Sequence, residues 1–152
     1  IAKLGSTVVY DDYAHHPTEI KKTLKAARMW LKNKKIIAVF QPHTYSRTKK
    51  LLSKFVKSFG SADEVVIVDI YSSAREKHDP EINGKILAEE IKKTGQSACY
   101  IPGKQQLCSY LKQKNLQDSA IFTLGAGDIF LWHPEMIQCL RNKDEHTNTK
   151  TH

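Results

Sequence analysis

The chain has 152 residues, with 24 Lys and Arg against 16 Asp and Glu, a formal net charge of +8. A chain of this length buries roughly 70% of the surface its unfolded form exposes, so a core forms without disulfide or metal staples. With 40% hydrophobic and 26% charged residues, collagen-like, coiled-coil, disulfide-scaffold and largely disordered readings are excluded.

In chain order, residues 2–4 and 7–10 flank Gly5-Ser6, a two-residue turn suited to a type II′ hairpin, and predict an antiparallel edge pair. Residues 18–31 predict the first helix: Ile20, Leu24, Ala27 and Leu31 share one stripe while Lys21, Lys25, Arg28 and Lys32 share another. Pro17 suits its first position, where the missing N–H is an orphan anyway, and Glu19 suits the positive end of the helix dipole. Strand-like runs then alternate with helical ones: strands at 35–41, 64–70, 97–101 and 120–124, helices at 48–59, 84–93, 104–114 and 128–141. A β-α pattern repeated in this way predicts an α/β fold. The expected architecture is a single Rossmann-like domain, a six-stranded mostly parallel sheet with one antiparallel edge strand and helices on both faces. Residues 1–141 are expected to form the domain, and the polar stretch 142–152, which has no periodicity, a disordered tail.

The apolar runs, such as 36–40 and 65–68, stop far short of the roughly 18 residues a membrane span needs, so no membrane contact is expected. The start, Ile-Ala-Lys-Leu, carries no methionine, signal peptide or transit pattern, which reads as a piece of something larger. Cys99, Cys108 and Cys139 are odd in number and lack Cys-x-x-Cys spacing, as expected of buried thiols in a reducing cytoplasm. Seven basic residues between 21 and 35 and five between 47 and 57, with no acidic residue among them, raise the question of nucleic acid. Without interleaved aromatics or a recognition motif they read as solvated helix faces.

In a parallel sheet the ligand crevice lies outside the carboxyl ends of the strands, so the loops there hold the candidate residues. The first loop crowds Asp11, Asp12, His15 and His16. These suit hydrogen bonds to a ribose or substrate, or caps for the next helix, better than four convergent metal ligands. In the second loop His43, Tyr45, Ser46 and Arg47 are expected just before a helix start, where backbone N–H groups favour an anion and the guanidinium fork suits a carboxylate or phosphate. A solvated arginine at a helix end is the plainer alternative. The Gly125-Ala126-Gly127 turn either lets backbone approach a ligand or is only a tight strand-to-helix connection; the third glycine of a dinucleotide fingerprint is lacking.

The loop segments DDYAHHPTEI, VFQPHTYSRT, DIYSSAREK and LGAGDI, in this order and at strand ends, resemble the C-terminal domain of the Mur ligase family of peptidoglycan synthesis. Within that family the likeness is to the members that join L-alanine to UDP-N-acetylmuramate, and it spans residue 7 to about residue 141. The resemblance implies a three-domain, cytoplasmic, ATP-dependent amide-forming ligase, of which this is the third domain. The first domain would hold the UDP-sugar. The central one would hold the ATP P-loop; no Gly-x-x-x-x-Gly-Lys-Ser/Thr occurs in this chain. The chemistry the resemblance implies begins with ATP phosphorylating the muramoyl carboxylate to an acyl phosphate, which the alanine amine would then attack. ATP and Mg would be held mainly by the central domain, leaving no catalytic residue and no metal ligand here, and the isolated domain is expected to be inactive. By motif position, Asp12 would accept hydrogen bonds from the ATP ribose. Tyr13, His15, His43 and Arg47 would line the alanine site. The implied partners are L-alanine, ATP, UDP-N-acetylmuramate and the other two domains. One departure is Thr44, where many relatives carry a second arginine. Two alternatives are the recycling ligase that attaches a tripeptide to the same UDP-sugar and a non-catalytic anion- or nucleotide-binding module.

Overall fold

The computed structural model describes residues 2–148. Its six strands, β1 (Ala2–Leu4), β2 (Thr7–Asp12), β3 (Lys35–Phe40), β4 (Glu64–Ile67), β5 (Ala98–Tyr100) and β6 (Ser119–Leu124), form one sheet in the order β1-β2-β6-β3-β4-β5. Only the β1–β2 pair is antiparallel. Its turn has Gly5 at φ 56° and a negative φ at Ser6, the pattern of a type II′ connection. The expected six-stranded mixed sheet is therefore observed.

Alternation along the strands builds two cores. Ile36, Ala38 and Phe40 pack on one side with Val65, Ile67, Ala120 and Phe122, while Ile37, Val39, Val66, Val68 and Ile121 pack on the other. Both faces are therefore apolar and both need helices. The first face is covered by α1 (Pro17–Trp30), α3 (Leu52–Val56) and α4 (Gly84–Lys92), and the second by α5 (Lys104–Gln113) and α6 (His133–Asn148). Handedness explains the partition. The chain steps across the sheet from β2 to β3, β4 and β5, then returns from β5 to β6. Since right-handed crossovers in opposite directions put their helices on opposite faces, the return places α5 on the second face. By returning, β6 enters between β2 and β3, and the crevice at that reversal is where a ligand is accommodated.

Two predicted helices are interrupted. The one expected over 48–59 is split into α2 (Tyr45–Lys50) and α3 at Leu51, whose φ −106° and ψ 13° leave the helix. This kink separates the turn that carries loop residues from the turn that sets Phe55 against Phe40, ring centroids 5.4 Å apart. The helix expected over 128–141 becomes a 3₁₀ turn, Ile129–Trp132, followed by α6. Pro134 has no N–H to continue a helix from residue 128 and sits well in a first turn. Helix α6 runs past residue 141 to Asn148, through part of the stretch expected as a tail, and residues 149–152 lie outside the described residues.

At the amino edge of the sheet, opposite the crevice, Glu64 is only 4% exposed. Its carboxylate accepts Lys35 Nζ at 2.8 Å, Lys114 Nζ at 2.8 Å and the Tyr110 hydroxyl. Burial alone pushes this carboxyl up, but the bonds from Lys114, Lys35 and Tyr110 outweigh it and hold it at about 2. A folded-state value below the unfolded one stabilises above the ordinary carboxylate range and is lost as pH falls through the folded value. Chain stability is expected to fall between about pH 5 and pH 2 by on the order of 3 kcal/mol from this group. Denaturant melts across that window check it: Glu64→Gln should flatten the slope, and an unchanged slope would remove the network from the account.

Candidate functional site

Four strand ends meet at the crevice. After β2, Asp11 and Asp12 point to opposite faces, as neighbours on a strand must. Asp11 Oδ1 accepts Thr123 Oγ1 at 2.7 Å with His133 Nε2 at 3.3 Å, on the α6 side. Asp12 faces α1: Oδ1 accepts Ala14 N–H at 2.8 Å and Oδ2 accepts Thr23 Oγ1 at 3.1 Å. Each Asp12 oxygen keeps a lone pair beyond these bonds. An open depression of ≈ 370 Å³, lined by Asp12, Tyr13, Ala14, Glu19, Lys22 and Thr23, lies against it. Among the described residues no three His, Cys, Asp or Glu side chains converge as a metal site.

The two adjacent histidines divide their roles. His16 is the N-cap of α1: its Nδ1 accepts Thr18 N–H at 3.3 Å, while Glu19 accepts the His16 N–H at 3.0 Å and the His15 N–H at 3.1 Å. These backbone bonds hold the Glu19 carboxyl below its ordinary range. His15 is turned toward the crevice. Its Nδ1 donates to Tyr13 O at 3.1 Å, a bond that requires the proton on Nδ1 and leaves Nε2 with the lone pair when the ring is neutral. From there a row of rings crosses the loops. Tyr13 and His15 centroids are 5.3 Å apart, His15 and His43 6.3 Å, and His43 and Tyr71 5.6 Å with planes 16° from parallel. The structure thus brings Tyr13, His15 and His43 together, and adds Tyr71 from the loop after β4.

The second loop departs from expectation. Arg47 lies inside α2, not before it, and the helix start is already occupied. Glu76, from the loop after β4, accepts Tyr45 N–H at 2.8 Å on one oxygen and Ser46 N–H at 2.8 Å on the other. Burial pushes its carboxyl up, but the Ser46 and Tyr45 bonds win and leave it below its ordinary value. The anion expected at this helix start is therefore the protein's own. Before it, Thr44 takes φ 67° and ψ 141°, a conformation costly for a β-branched residue by roughly 1–3 kcal/mol and found where surrounding bonds enforce it. Those bonds are Thr44 N–H to Tyr71 O at 2.9 Å and Thr48 Oγ1 to Thr44 O at 2.7 Å.

Two polar atoms of this loop, His43 Nδ1 and Arg47 Nη1, are buried without a hydrogen-bond partner among the described residues. Buried donors and acceptors are nearly always satisfied, so each such exception calls for an explanation. Burial first, then the Arg47 charge, holds His43 below its ordinary value, so the imidazole is neutral at neutral pH and the positive charge beside it belongs to Arg47.

The glycine turn after β6 packs on protein. A Cβ on Gly127 would lie 2.4 Å from Gln41 Oε1 and 2.6 Å from Tyr71 Cγ, and one on Gly125, at φ 151°, would lie 2.8 Å from Gln41 O. Gln41, 3% exposed, donates from Nε2 to Asp128 at 2.7 Å and accepts Ile129 N–H at 3.0 Å. The tight-connection reading of this turn accounts for both glycines. Gln41, Tyr71 and Glu76 escaped the sequence reading; the only signal for them was their place in strand-end loops, which does not say what they touch.

A family model for the Mur ligase, glutamate ligase domain, matches residues 1–127. The chain belongs to this family. It is 53% identical over 122 residues to the UDP-N-acetylmuramate–L-alanine ligase of Acetivibrio thermocellus, a match covering 80% of this chain and 26% of that protein. It is 47% identical over 130 residues to the ligase of the same name from Desulfitobacterium hafniense, covering 86% and 29%. The crystal structure of the UDP-N-acetylmuramate–alanine ligase of Thermotoga maritima superposes with a TM-score of 0.64 at 28% identity, covering 95% of this chain and 27% of that one. A murein peptide ligase from Psychrobacter arcticus, 20% identical with a TM-score of 0.72 over 93% of this chain and 29% of that one, shares the fold. This Mur ligase domain therefore spans between 26% and 29% of the length of these relatives. Among its described residues no helix is long and apolar enough to cross a membrane.

Proposed function

We propose that this chain is the amino-acid-receiving C-terminal domain of a cytoplasmic ATP-dependent ligase that joins L-alanine to UDP-N-acetylmuramate. What carries the reading is that the loop after β3 holds two buried polar atoms, His43 Nδ1 and Arg47 Nη1, with no hydrogen-bond partner among the described residues, in a chain 53% identical over 122 residues to a relative of that name. An amino acid carboxylate supplies an acceptor for the guanidinium, and in a half-buried site such a bond is charge-assisted. Tyr13 and His15 close the same side of the crevice. Neutral His43 adds a hydrogen-bonding nitrogen without adding a second positive charge against the substrate ammonium. When bound, ATP with magnesium supplies the phosphoryl group that activates the muramoyl carboxylate. This domain's own part is to hold the nucleophile and the nucleoside end of ATP in register, catalysis by positioning. Asp12 accepts from the ribose with the lone pairs its two internal bonds leave free.

The test is ADP release by the full-length ligase. Sustained multiple-turnover release should require L-alanine, and Asp12→Ala should weaken ATP dependence about fivefold, the worth of one lost hydrogen bond. Asp12→Asn keeps an oxygen for Ala14 N–H and should lose less. Sustained multiple-turnover release without L-alanine would sink the reaction, and unchanged ATP dependence in Asp12→Ala would take Asp12 out of the site.

A further inference from the structure

The loop after β4, residues 69–83, pins the loop after β3 over four consecutive residues. His43 pairs with Tyr71 as an isolated parallel bridge and stacks on its ring. Thr44 N–H donates to Tyr71 O, Tyr45 N–H to one oxygen of Glu76 and Ser46 N–H to the other. Beyond them, Lys49 Nζ pairs with Asp79 at 3.0 Å and with Glu81. The residue that follows the pinned run is Arg47, and its Nη1 is buried and unpartnered. Glu76 spends both oxygens on these amides, although an Arg–carboxylate fork would be the stronger pair. Arg47 Nη1 is thereby left without a hydrogen-bond partner among the described residues.

We propose that Glu76 is a positioning residue of this site: by taking the two first amides of α2 it fixes the loop of His43 and Arg47 and keeps the Arg47 guanidinium for the carboxylate of the incoming amino acid. The inference rests on the alanine-site reading above and adds to it the source of the site's shape. A glutamate at this position also explains how Thr44 is held in a conformation it disfavours, since bonds on either side leave the segment no freedom to relax. Glu76 touches no reacting atom. Its effect passes through Arg47, and it should therefore vanish when Arg47 is absent.

The experiment is steady-state kinetics on the full-length ligase with L-alanine varied. Glu76→Ala should raise KM for L-alanine about tenfold with kcat within about threefold. Glu76→Gln, which keeps one oxygen acceptor, should fall between it and wild type. In the double variant Glu76→Ala/Arg47→Ala, KM should be no worse than in Arg47→Ala alone, the signature of one residue acting through the other. Additive losses, or a KM that Glu76→Ala leaves unchanged while Arg47→Ala raises it, would overturn the role of Glu76 and leave the alanine site standing. If Arg47→Ala itself left KM unchanged, both readings would fall. A readout independent of turnover is the ¹H–¹⁵N spectrum of the 152-residue chain. The Tyr45 and Ser46 amide shifts should follow a carboxyl titration below the ordinary glutamate range, and Glu76→Gln should abolish it. Amides that ignore the Glu76 substitution would also overturn the proposal, even if the Ala variant folds too poorly for kinetics.

Discussion

Arg47→Ala in the full-length ligase is expected to lower kcat/KM for L-alanine by about 10- to 150-fold, the equivalent of a charge-assisted hydrogen bond of about 1.5–3 kcal/mol. The geometry puts that whole contribution on one side chain. The amides at the start of α2, which otherwise share an anion, are taken by Glu76, and His43 is held neutral by burial and by the neighbouring guanidinium. Arg47→Lys keeps the charge but not the planar fork, so it should fall between wild type and alanine. The order wild type, lysine, alanine is the content of the prediction. A loss within about twofold for Arg47→Ala, under 0.5 kcal/mol, would return Arg47 to the status of a solvated helix residue, and the unpartnered Nη1 would need another explanation.

Part of the candidate site is legible in the sequence. Asp12, His15 and His43 stand out in strand-end loops and Tyr13 follows from the family resemblance, and the structure gathers Tyr13, His15 and His43 in one row of rings. The strands were legible because both faces of the sheet are buried, which makes runs such as 36–40 apolar without a break. What stayed hidden is tertiary. Glu76 lies 30 residues from Ser46, in a loop without regular structure of its own, and nothing in either segment announces that one caps the other. The insertion of β6 between β2 and β3 depends on the direction of the last crossover, and a β-α pattern reads the same in either direction. Pro134 marks the break in the last helix, because a helix running from residue 128 would need the N–H that proline lacks. The histidine pair shows how residue type misleads. Both rings are chemically alike, but His16 is consumed by the helix cap while His15 faces the crevice.

Gly127→Ala is expected to be strongly disruptive at this end of the sheet. The new Cβ would stand 2.4 Å from Gln41 Oε1 and 2.6 and 2.7 Å from Tyr71 Cγ and Cβ. None of these atoms is the free end of a flexible side chain. Gln41 is held by Asp128 and the Ile129 amide, and Tyr71 is held at its backbone by Pro42 O and Thr44 N–H. Relief therefore requires the turn or the loop after β4 to move, at a cost of about 1–3 kcal/mol, or about 2–4 °C in Tm for each kcal/mol in a domain of this size. Because the Tyr71 ring stacks on His43, the same displacement should reach the proposed alanine site and raise KM for L-alanine in the full-length ligase. Gly60→Ala is the control. It has nothing within 4 Å of its Cβ and should stay within about 0.5 kcal/mol of wild type. Thermal melts of the two variants decide the role of the Gly-x-Gly turn. A Gly127→Ala chain that melts with wild type yet weakens ATP would mean that the turn is open for a ligand to approach, and its packing on Gln41 and Tyr71 would lose its meaning.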